Sequence, residues 1–153
     1  MEKSLEILLQ HRKVLYHYLK ETPLEMLNTI PGGFRNNIFW NIAHSVVVQQ
    51  ALVYGLSDVP PIVSEDLMRR YRKGTVPEGL ASEAELNEIK NLLFKTVERT
   101  SEDYQLGAFQ KFRQYTTMTK VVLNDVDDAI LFNNFHEGLH LGYIMALRKA
   151  LSQ

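Results

Sequence analysis

Apolar residues in this chain recur every three to four positions through four long segments, and clusters of proline and glycine separate those segments. That spacing is the period of an α-helix packed on one side, so the chain must form helices that bury a stripe against one another. The first segment runs from about Ser4 to Glu21, with Leu5, Leu8, Leu9, Leu15 and Leu19 on its stripe. It ends at Thr22-Pro23, because the residue before a proline is pushed out of the helical region. Pro31-Gly32-Gly33 marks a turn. The second segment begins at Asn36 or Asn37, either of which can cap a first turn, and reaches about Gly55. It is apolar on two adjacent sides, through Ile38, Ile42, Val46 and Val53 and through Phe39, Ala43, Val47 and Ala51, the pattern of a helix central in its domain.

The third segment starts at Ser82, which forms a capping box with Glu85, and runs to about Arg99. The fourth has Asn124 as its cap and ends near Leu151. Asp125, Asp127 and Asp128 sit in its first turns and Arg148 and Lys149 near its end, each sign matching the helix dipole. Two connections are long. Leu56 to Ala81 holds Pro60, Pro61, Gly74, Pro77 and Gly79, with a short helix expected near Glu65 to Arg72 around the basic run Arg69-Arg70-Tyr71-Arg72-Lys73. Tyr104 to Leu123 is rich in β-branched residues and reads as irregular, with a short helix or an extended piece. Four helices in 153 residues give one domain over 1–153, an all-α four-helix bundle with long crossover connections.

Seventeen lysines and arginines nearly balance eighteen acidic residues, so charge offers no reason to expect nucleic acid or an anionic membrane as a partner. There is no cysteine, which removes disulfides, thiolate ligands and a cysteine nucleophile together. The first residues carry Glu2, Lys3 and Glu6 and do not read as a signal peptide, and the longest apolar run is interrupted by Asn41, His44, Gln49 and Gln50. A cytoplasmic location is the default expectation.

The five histidines are the informative polar residues. His136 and His140 are four apart on the fourth helix, on one face and one turn from each other, with Ala129, Phe132, Asn133, Tyr143 and Leu147. Buried imidazoles need partners for their nitrogens, which a metal, a carboxylate or a water supplies. His44 lies mid-way along the second helix and also points inward. Three neutral imidazoles with open positions suit zinc, nickel or iron. His11 and His17 are six apart, on different faces of the first helix, and read as surface or boundary residues.

His136-Glu137-Gly138-Leu139-His140 matches H-E-x-x-H, in which the glutamate is a general base beside a zinc ion. The thirteen residues after His140 contain no His, Asp, Glu or Cys, so a third ligand has to come from upstream, and His44 is the candidate. Glu137 is therefore a candidate catalytic residue, with a solvated helix charge as the alternative. Trp40, Asn41, Asn133 and Tyr143 are candidate pocket-lining residues, against plain packing for Trp40 and Tyr143. The run Arg69 to Lys73 is either a binding site for a carboxylate-bearing cosubstrate or a solvated face.

Asn36-Asn37-Ile38-Phe39-Trp40-Asn41-Ile42-Ala43-His44 resembles the second-helix motif of the DinB-like (DinB/YfiT) superfamily, and Phe135 to Ile144 resembles its last-helix H-x-x-x-H motif. The resemblance implies a four-helix bundle with a divalent metal on His44, His136 and His140, and a homodimer. It carries no role for Glu137, and the middle of the chain, Leu56 to Leu123, matches only in helix count. For activity it implies either a metal-dependent enzyme on a small-molecule substrate or a non-catalytic stress-response or binding protein with a structural or vestigial metal. The enzyme is expected to be a thiol-S-transferase using a low-molecular-weight thiol such as bacillithiol or mycothiol, or a hydrolase. The missing cysteine is compatible with a thiol that arrives as a cosubstrate.

Overall fold

The computed structural model describes residues 1–152. Helix α1 spans Glu2–Glu21, and a short α2 spans Leu24–Asn28. Helix α3 spans Ile38–Val53, α4 Glu65–Tyr71, α5 Glu83–Gln105 and α6 Val126–Leu151. Two short strands, β1 (Tyr115–Thr116) and β2 (Val122–Leu123), pair antiparallel between α5 and α6. Among the described residues no helix is long and apolar enough to cross a membrane.

The long helices α1, α3, α5 and α6 pack as a bundle, and the side-chain pairs fix their directions. Asn134 meets the Ser4 carbonyl, Glu137 meets Arg12, and Arg148 lies over the Tyr18 ring, so α1 and α6 run the same way. Tyr16 packs on Phe94 while Leu5 lies beside Ser101 and Tyr104, so α5 runs against α1. Gln49 bonds Thr100 and Tyr54 bonds Asp103, so α3 runs with α5. The order is up-down-down-up. Parallel α3 and α5 need a connection that returns the length of the bundle, which is why residues 54–82 form one long crossover.

Helix α3 is central: all but two of its residues are buried. Its start is fixed by Asn37, whose side chain accepts from the Trp40 amide at 2.8 Å. Two boundaries and one capping contact differ from expectation. Helix α5 runs past Arg99 to Gln105, because Thr100 and Asp103 are buried and bonded to α3. Ser82 caps α5, but Glu85 does not reach back to complete the box; its carboxylate goes to the Tyr71 hydroxyl at 2.5 Å and to Arg70 at 2.9 Å. Asp125, not Asn124, caps α6, accepting from the Asp128 amide at 2.9 Å.

The β-branched stretch before α6 is an extended hairpin, pinned by Thr117, whose hydroxyl bonds both the amide and the carbonyl of Val121. Lys120 turns the chain at φ 66°, and buried Leu123 packs with Ala129 and Ile130. The hairpin lies over the α3–α6 seam and forms one wall of the cleft described next.

Candidate metal centre

His44, His136 and His140 meet where α3 crosses α6. Each offers a nitrogen, and these atoms lie within 4.8 Å of one another, so small ring rotations bring them onto one ion with bonds of about 2.0–2.1 Å. The ring centroids are 4.5 Å apart for His136 and His140, 4.7 Å for His44 and His140, and 5.3 Å for His44 and His136.

Two rings are held by the hydrogen bonds that set their tautomers. His44 Nδ1 donates to the Tyr71 carbonyl at 2.6 Å, the last residue of α4, leaving Nε2 with its lone pair. His140 Nδ1 donates to Asn41 Oδ1 at 2.8 Å. The orientation of the Asn41 amide is fixed because its Nδ2 donates to Asn36 Oδ1 and to the Asn37 carbonyl. Trp40 stacks on His44, with centroids 4.5 Å apart and planes 14° from parallel. His136 Nδ1 is buried and has no hydrogen-bond partner among the described residues.

Burial also fixes the charge state. It pushes His44 down to about 4, against a partly offsetting bond to Tyr71. Burial and the neighbouring His136 and His44 push His140 down to about 3. His136 is lowered by burial, partly opposed by Glu137. All three imidazoles are neutral at pH 7, the form that ligates a metal. Neutral nitrogens, outer bonds that aim two of them inward and an unpaired nitrogen on the third fit a divalent ion.

A cavity of about 290 Å³ opens from the three rings. Its walls are apolar, from Val48, Leu52, Phe132, Phe135 and Leu139, and the hairpin adds Met118 and the hydroxyl residues Thr117 and Thr119. Of the basic run only Lys73 reaches this cavity. Arg69 is tied to Asp66 and Glu78, and Arg70 to Asp66 and Glu85.

The family model of the DinB superfamily matches residues 7–144, nearly the whole chain. The chain belongs to the DinB superfamily. Among curated proteins none matches it.

The DinB-superfamily resemblance covers the histidines, while the surrounding residues depart from several expectations drawn from the sequence. Glu137 is fully buried, which overturns the solvated-charge reading. Its oxygens are taken up by Arg12, at 2.6–3.1 Å, by His11 Nδ1 at 3.1 Å and by Asn133 Nδ2 at 2.9 Å. Its carboxyl is held below the usual range, with Arg12 and His11 outweighing the opposing effect of burial. It lies outside the three-residue ligand group and off the cavity wall, so no free base faces the cleft from this position. Trp40, Asn133 and Tyr143 are not on that wall either: Trp40 backs His44, Asn133 serves Glu137, and Tyr143 packs edge-on against Phe34 at 5.5 Å. Asn41 is placed at the site, as the partner of His140.

The sequence does not single out Arg12, and it places His11 at the surface or boundary of the first helix; both belong to this network. The signal for Arg12 was present. It falls on the buried stripe of α1 between Leu8 and Leu15, where an inward arginine requires a buried anion.

Proposed function

We propose that this protein is a metal-dependent enzyme of the cytoplasm that acts on a small molecule, either as a thiol-S-transferase with a low-molecular-weight thiol cosubstrate or as a hydrolase. The observation that carries the reading is the convergence of three neutral histidines on the floor of an apolar-walled cavity of about 290 Å³. His44, His136 and His140 would hold the ion through three protein ligands, fewer than the four that close a structural zinc site. A bound zinc, nickel or iron ion would supply Lewis acidity, lowering the pKa of a thiol or water delivered through the cavity.

The chain's own residues do the rest. Tyr71 and Asn41 hold two ligand rings in their tautomers. The apolar walls exclude bulk water and receive an aliphatic or aromatic substrate body. Lys73 at the rim takes a carboxylate of the cosubstrate. Exposed Leu131, Phe135 and Leu139, spaced four apart on α6, support a homodimer through this side of the helix.

The deciding experiment is metal content by inductively coupled plasma mass spectrometry on untagged wild type and His140→Ala, followed by thiol-transfer and ester-hydrolysis assays on the same samples. About one metal per chain, lost in the variant together with activity, is the expected result. Wild type that takes up no metal on reconstitution overturns the site. Metal without either activity, and unfolding on chelation, leaves a structural ion.

A further inference from the structure

The buried ion pair between α1 and α6 touches no imidazole of the cleft, yet Glu137 directly follows His136 and Arg12 reaches the carbonyl of the residue that follows His44. Arg12 and Glu137 are both fully buried. The guanidinium forks onto both Glu137 oxygens, with Nε at 3.1 and 2.9 Å and Nη2 at 2.6 Å. The same Nη2 lies 3.4 Å from the Ser45 carbonyl on α3. Glu137 follows His136 on α6, and Ser45 follows His44 on α3. One side chain from α1 therefore contacts both ligand-bearing helices immediately next to their ligands. Asn41 and His140 tie α3 to α6 on the other side of the cluster.

We infer that Arg12 and Glu137 are positioning residues for the metal centre, bracing α3 and α6 in the register at which His44 meets His136 and His140. A buried ion pair is an expensive way to fill a helix interface, since apolar residues of similar volume usually serve stability as well or better. What the pair adds is direction. A planar guanidinium bonded at two points to a carboxylate fixes separation and rotation together, which packing of flexible apolar chains does not. Asn133, one turn before Glu137, locks the carboxylate plane from its own helix at 2.9 Å, and His11 closes the second oxygen. The brace is built without any residue of the cavity wall, and it does not depend on which substrate enters.

The inference rests on the metal assignment above. Zinc affinity by competition with a chromophoric chelator, the visible spectrum of the cobalt(II)-substituted protein, and the melting temperature of the metal-free protein are measured for wild type, Arg12→Lys and the double variant Arg12→Met/Glu137→Met. The double variant replaces the pair with an apolar contact but leaves Asn133 Nδ2 and His11 Nδ1 without their acceptor, so it is expected to melt below wild type and well above Arg12→Met. Its zinc affinity is expected to fall about 10–100-fold, with altered cobalt absorption bands. Arg12→Lys keeps the charge and loses the fork; it is expected to fold and to bind zinc more weakly than wild type. Folded variants that bind zinc as tightly as wild type, with an unchanged cobalt spectrum, overturn the inference and leave the pair purely structural. If the double variant does not fold, Arg12→Lys alone decides by the same two readouts. Wild type that takes up neither zinc nor cobalt refutes the metal assignment itself, and the brace with it, before any variant is compared.

Discussion

Acidifying the metal-free protein from pH 7 to pH 5 should cost it a measurable share of its stability through the histidine cluster. His44 is 4% exposed, and burial lowers it from 6.5 to about 4. At pH 7 it is largely neutral in both the folded and the unfolded chain. Below 6.5 the unfolded chain takes up a proton that the folded protein refuses until about pH 4. The stability tied to neutral His44 is therefore present above 6.5 and is lost as pH falls toward 4, at a limiting slope of about 1.4 kcal/mol per pH unit. Between pH 7 and pH 5 this single residue accounts for about 2 kcal/mol. His140 and His136 are lowered too and act with the same sign, so the whole cluster costs more than His44 alone. Against a total of about 5–15 kcal/mol for a domain, that is a large fraction. The lowered carboxyl of Glu137 also destabilises the acidified protein, but only below its ordinary value of 4.5, outside this window. Urea unfolding of chelator-treated wild type and His44→Gln at pH 7, 6 and 5 separates the contributions. The variant should lose about 2 kcal/mol less than wild type over the range. Equal slopes for the two proteins, or wild-type stability that rises on acidification, would refute the argument that burial holds His44 neutral.

Arg12→Met alone leaves the Glu137 carboxylate buried without its main partner and is expected to cost about 3–5 kcal/mol in urea unfolding, far more than the double replacement. For the proposed homodimer, Leu131→Glu places charge on the exposed side of α6 and should shift the mass in light scattering coupled to size exclusion to that of the monomer, with the helical circular-dichroism spectrum unchanged. Lys73→Met should weaken binding of a mercaptoalkanoate several-fold and leave the matching mercaptoalcohol unchanged, with the difference shrinking as salt is raised, because Lys73 is exposed.

The parts of this molecule that were legible in the sequence are those where one periodicity decides the structure. The stripe Leu8, Leu15 and Leu19 and the two apolar sides of α3 fix helices, and the four-residue spacing of His136 and His140 fixes a shared face. His44 was legible because a polar residue in the most apolar helix has to be satisfied inside the bundle. What escaped depends on contacts between segments far apart in the chain. Whether Glu85 closes a local capping box or bonds Tyr71 is decided by α4 docking beside α5. Whether Lys73 or Val48 lines the cleft is decided by the crossover and the hairpin, which have no period to read. Glu137 is the sharpest case. Read along α6 it belongs to an H-E-x-x-H pattern, and a short pattern of that kind says nothing about what faces the glutamate from another helix. The opposing residue is Arg12, 125 positions away, and it turns a candidate base into an anchored anion. Arg12 carries a signal of its own, a charge on the stripe of Leu8, Leu15 and Leu19, which calls for a buried anion on a neighbouring helix. Unpaired charges on apolar stripes are thus the sequence signal to carry into other members of this superfamily, where the corresponding pair should either be present together or be replaced together by apolar residues.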